Sequence, residues 1–69
     1  MAIKIHHTYS TNVEIHYYTD GGYTLRCRDC GQMDDIAERV CEIMVKHNFD
    51  YANIISADTG EILMIIERT

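Results

Sequence analysis

The sequence predicts an α+β domain of order β-β-β-α-β-β, in which a mainly antiparallel sheet of about five strands carries one helix packed on one face. Three observations predict it. Short segments alternate apolar and polar residues, two D-x-G turns separate pairs of such segments, and one stretch repeats its apolar residues at spacings of three and four. The 69 residues contain no repeat, linker or low-complexity stretch and make one domain, residues 1–69. A domain this short buries only about 60% of the surface its unfolded chain exposes, so it has little stability to spare without a staple or a partner.

Residues 2–7 alternate, with Ile3, Ile5 and His7 on one face and Lys4 and His6 on the other. Residues 13–18 repeat the pattern, Val13, Ile15 and Tyr17 opposing Glu14, His16 and Tyr18, and both stretches read as half-buried strands. Asp20-Gly21-Gly22 is a turn in which glycine supplies the positive φ of a three-residue hairpin loop, and a third strand, residues 23–27, follows it. Paired residues in a hairpin face the same way. That parity sets Thr19 opposite Tyr23, Tyr17 opposite Leu25 and Ile15 opposite Cys27, and it permits Ile5 opposite Ile15 and Ile3 opposite Tyr17.

Residues 32–47 form the helix. Met33, Ile36, Ala37, Val40, Cys41, Ile43 and Met44 occupy roughly 160° of its wheel. Asp34, Asp35 and Glu38 favour the positive end of the helix dipole and Lys46 the negative end. Asn48 is a left-handed stop, with Phe49 folding back on the last turn. Residues 51–57 and 61–67 form a second hairpin around Asp58-Thr59-Gly60. Here alternation fails: Ile62, Met64 and Ile66 face one way and Leu63 and Ile65 the other, while Ile54 and Ile55 also face opposite sides. Strands apolar on both faces are expected to be buried on both faces, yet one helix covers one face only. Ile55, Leu63 and Ile65 therefore form the expected interface of a homodimer, the alternative being that the first hairpin curls over them.

Composition narrows function. The net charge is −5, all of it in residues 32–69 because residues 1–31 balance, so the basic footprint of a nucleic-acid-binding protein is missing. No run of about 18 apolar residues could span a membrane and no apolar leader core opens the chain, so a cytoplasmic protein is expected. Three cysteines, an odd number, argue for reduced thiols over a disulfide framework.

Three groups of residues are candidate sites. Cys27-Arg28-Asp29-Cys30-Gly31 has the spacing of half a zinc knuckle, but no second C-x-x-C completes it; Cys27 and Cys30 read more readily as structural, Cys27 ending a strand and Cys30 entering the helix, with zinc as the alternative cofactor and none as the leading expectation. The polar face of the first three strands gathers His6, Glu14, Arg28, His16, Arg26 and Tyr18, a set suited to contacting a partner and, less readily, to acid–base work. Asp34, Asp35, Glu38 and Glu42 make an acidic helix face able to steer a basic partner or to occupy a nucleic-acid cleft as a decoy.

No nucleophile motif, phosphate loop or paired-carboxylate motif is present, so the chain is not expected to be an enzyme. In size, acidity and lack of catalytic motif it resembles the small inhibitors that phages and mobile elements make against host enzymes or defence nucleases. That likeness implies a non-enzymatic, homodimeric protein-binding module that occludes a larger host protein, one that itself binds nucleic acid through a basic surface. A small zinc-binding or structural module centred on Cys27 and Cys30 is the second reading, and a minor enzyme using the His6, Glu14, His16 and Arg28 face the third.

Overall fold

The computed structural model describes residues 10–22 and 24–68. They form β1 (Thr11–Tyr18), β2 (Thr24–Gly31), α1 (Met33–His47), β3 (Tyr51–Ser56) and β4 (Ile62–Glu67). The sheet has the order β2-β1-β3-β4 with every neighbouring pair antiparallel. Four strands are thus described where about five are expected. The strand expected at residues 2–7, with His6 and Lys4, lies outside the described residues. β1 has both edges filled, by β2 and by β3, where the sequence suggests residues 2–7 as one neighbour.

The first hairpin pairs Tyr17 with Leu25 and Ile15 with Cys27, the register that parity requires. Its loop closes with the Gly22 N–H donating to the Thr19 carbonyl at 3.0 Å, Gly22 adopting φ 85°. The second loop is one residue longer than the D-x-G signal suggests. Ser56 donates to the Glu61 carbonyl and Gly60, at φ 78°, donates to that of Ser56, so residues 57–60 make the turn. Asp50 ties the hairpins together: its N–H donates to the Tyr18 carbonyl, its carbonyl accepts from Arg68 N–H, and its carboxylate accepts from Asp20 N–H at 2.7 Å.

Helix α1 begins after Gln32 and ends at Asn48, which is left-handed at φ 60°, ψ 40°; Phe49 turns back to donate to the Met44 carbonyl and is buried. The helix lies across β2, β1 and β3. Under it sits the core: Val13, Ile15 and Tyr17 from β1, Ile36, Val40 and Met44 from α1, Ala52 and Ile54 from β3, and Phe49. Each of the larger side chains stabilises the fold by about 1.5–3 kcal/mol relative to leaving it exposed. Cys41, expected in this core, is instead exposed, because the stripe that meets the sheet is narrower than the apolar arc of the wheel.

Helix α1 meets chiefly β2, β1 and β3, and of β4 Ile66 packs against the core. That strand reads exposed at five of its six positions, with Ile62 and Ile65 each 55% exposed and Leu63 42%. Within the described part of a single chain these residues therefore have little cover. All four described strands lie in one sheet, and with Ile62, Leu63 and Ile65 exposed the first described hairpin does not cover them. A register shift opposite Ile54 and Ile55 sets Ile55 against Ile62 and leaves Leu63 as the extra residue of a bulge.

Candidate functional site: the open sheet face and the β4 edge

The face of the sheet away from α1 is built in rows by the strand registers. One row runs Thr24, Tyr18, Tyr51, Glu67; the next Arg26, His16, Asn53, Ile65; the next Arg28, Glu14, Ile55, Ile62. Pleating sends alternate residues of each strand to this face, and in the second and third rows the chemistry changes from cationic on β2 to apolar on β4. Tyr18 and Tyr51 stack with ring centroids 4.6 Å apart and planes 13° from parallel. His16 Nε2 lies 2.9 Å from Glu14 Oε1. That hydrogen bond, aided by the charges of His16, Arg28 and Arg26, holds the Glu14 carboxyl below its ordinary range. A carboxylate held ionised accepts hydrogen bonds and pairs with cations; it is a poor proton donor near neutral pH.

At one end of the sheet a cleft of about 560 Å³ is lined by Asn12, Glu14, Arg28, Asp29, Cys30 and Asp58 among others. His16, which the acid–base reading requires, is not among its lining residues. Asp29 is already engaged: Arg39 grips it through a fork, Nε to Oδ2 at 2.8 Å and Nη2 to Oδ1 at 3.0 Å, and also donates to the Cys30 carbonyl. The fork first, then the Cys30 N–H and the charge of Arg39, holds the Asp29 carboxyl low. The pair fastens the middle of α1 to β2.

Cys27 and Cys30 both lie on β2, and Cys30 does not enter the helix. Three residues apart on a strand they point to opposite faces, Cys27 half-buried under α1 and Cys30 exposed, about 10 Å apart along the chain. Two thiolates so placed do not converge on one tetrahedral ion, so the strand gives the alternative zinc reading at Cys27 and Cys30 no support.

Of the partner-contact residues predicted, His16, Tyr18 and Arg26 share the open face, while His6 lies outside the described residues. Asp34, Asp35, Glu38 and Glu42 are exposed on α1, on the other side of the sheet. The two sets therefore do not form one site. Ile55, half-buried, and Ile65, exposed, lie on the open face, and Leu63, in the bulge of β4, is exposed beside them. Sequence pattern misses the share of the apolar surface that lies outside the sheet: Val45, 77% exposed, lines a groove of about 320 Å³ with Cys41, Met44 and Ile66 between α1 and β4. Val45 sits at the margin of the apolar stripe, where periodicity alone does not mark it.

The chain matches no protein-family model, no curated protein and no solved structure.

Proposed function

We propose that this chain is a small, acidic, non-enzymatic protein-binding module, which associates through the surface around β4 and presents the acidic face of α1 to a basic region of a larger protein. One observation carries the reading. Among the described residues the exposed large apolar side chains are Val45, Tyr51, Ile62, Leu63, Met64 and Ile65, and all belong to β4 or adjoin it. A single concentration of that kind marks an interaction surface. The acidic face supports the second half: Asp34, Asp35, Glu38 and Glu42 stand exposed on α1, where they steer approach and set specificity for a cationic surface. Occlusion of such a surface, as a small inhibitor would achieve it, requires no chemistry from the module.

The test is affinity capture from the native host with two baits, the wild type and Asp34→Lys/Asp35→Lys/Glu38→Lys, both checked for native circular dichroism. A larger basic protein held by the wild type and released by the charge-reversed bait is the expected result. Identical captures by the two baits would overturn the role of α1.

A further inference from the structure

We infer that the surface around β4 is filled by a second copy of this chain, the two β4 strands pairing antiparallel, edge to edge, about a two-fold axis beside Met64. This rests on the protein-binding reading and names the occupant of its apolar surface. β4 is an outer strand of the sheet, so one row of its backbone N–H and C=O groups has no strand neighbour among the described residues. Outer strands are ordinarily protected by charge or proline; residues 62–66 carry neither, and the bulge at Ile62 and Leu63 leaves the rest of the strand regular. The charges Glu61 and Glu67 flank this stretch at its two ends.

The stretch is self-complementary. A two-fold axis perpendicular to the sheet at Met64 keeps open face against open face and sets Leu63 opposite Ile65 of the second copy, twice, beside Ile55 and Ile62. On the helix side the groove of Cys41, Met44, Val45 and Ile66 extends the same apolar surface. The distribution of charge permits the approach. The acidic first turn of α1 holds Asp34 and Asp35 and follows directly on the end of β2, the opposite edge of the sheet. The other end of α1 carries Lys46, and Asn48 there accepts from Arg68, which follows β4. Joined at β4, two copies hold their acidic ends outermost, where repulsion within a net charge of −5 each is least. The eight described strands then form one continuous sheet with both helices on one face.

Sedimentation velocity over a concentration series should show a dimer, and Leu63→Thr/Ile65→Thr, which keeps β-formers in the strand, should weaken its Kd at least about 100-fold while circular dichroism stays native. Register is read by oxidation in a Cys27→Ser/Cys30→Ser/Cys41→Ser background. Met64→Cys should cross-link to its own copy, because directly opposed residues lie about 4.5–5.5 Å apart between Cα atoms, within disulfide reach. Ile62→Cys, far from the axis, should not. A monomer at every concentration, or cross-linking equal at the two positions, overturns the inference. A monomer whose larger partner is still released by charge reversal on α1 overturns only this inference, whereas a dimer that captures nothing sustains it and removes the larger partner.

Discussion

The two hairpins are built to the same plan and end in opposite states. Each joins antiparallel strands through a turn that closes on a glycine with positive φ, Gly22 in one and Gly60 in the other. In the first, polar and apolar residues alternate, α1 lies over the apolar side, and Val13, Ile15 and Tyr17 are buried. In the second, β3 is buried through Ala52 and Ile54 while β4, equally apolar, remains exposed. Hydrophobicity alone therefore does not decide burial here; the reach of the helix does. Helix α1 extends over β2, β1 and β3, and the strand beyond that reach has apolar residues without cover.

The strongest way to break this contrast is to shorten one aliphatic side chain in each state. Ile54→Ala empties a fully buried site and should cost about 2–5 kcal/mol in chemical denaturation. Leu63→Ala, on a side chain 42% exposed, should cost less than about 0.5 kcal/mol when measured on dilute protein. At high concentration the Leu63→Ala cost should grow if β4 is covered by a second copy, and a cost independent of concentration would separate β4 from any such cover. Equal losses for the two variants in dilute solution would show that β4 is buried after all.

How far the sequence reveals this architecture follows the same boundary. The helix, its stop at Asn48, the fold-back of Phe49 and the pairings of Ile15 with Cys27 and Tyr17 with Leu25 are legible, because one buried face imposes one period. The neighbours of β1 are not. Parity is satisfied equally by any strand with an apolar face, and β3 takes a place that periodicity cannot assign. The Cys27 and Cys30 spacing reads as a ligand pair only while the local structure is unknown, since a strand separates what a knuckle turn would bring together. The patch at β4 is legible as an excess of apolar residues around Ile55, Leu63 and Ile65; its extension onto Val45 depends on where α1 settles, which is a tertiary fact.

A smaller effect compares the two turns. Among the described residues neither Gly22 nor Gly60 has an atom within 4 Å of an added Cβ, so the cost of alanine comes from the left-handed backbone. Gly22→Ala and Gly60→Ala should each lose about 1–2 kcal/mol, and by similar amounts, although one loop joins a buried hairpin and the other leads into an exposed strand. A large difference between them would mean that one loop has neighbours beyond its own hairpin.

Smaller still is the effect of a hydroxyl. Tyr17 is fully buried against Phe49, ring centroids 5.1 Å apart, and its Oη has no hydrogen-bond partner among the described residues. Burial first, then the nearby Cys27, Asp29 and Cys41, pushes its ionisation up to about 12. Tyr17→Phe should leave stability unchanged or raise it by up to about 1 kcal/mol at neutral pH, because an unsatisfied donor is removed. In alkali the sign is fixed by linkage. The unfolded phenol ionises near 10 while the folded one resists to about 12, so the wild type loses stability as pH rises through that window and Tyr17→Phe loses less. Superimposable alkaline melts for the two proteins would show that the hydroxyl reaches water.

The smallest expected effect tests how the first hairpin holds its helix. Asp29, on β2, is fastened to Arg39 of α1, and that fork keeps its carboxyl below the ordinary range. A depressed carboxylate contributes stability above its unfolded pKa, near 4, and loses it as pH falls through the lower folded value. Asp29→Asn should therefore melt slightly below the wild type at pH 7, and the two should converge in acid once both carry a neutral side chain. Because the pair is partly exposed, raising the salt should narrow the gap at pH 7. A gap that persists unchanged from pH 7 into strong acid would assign the effect to packing at the middle of α1 and not to the ion pair.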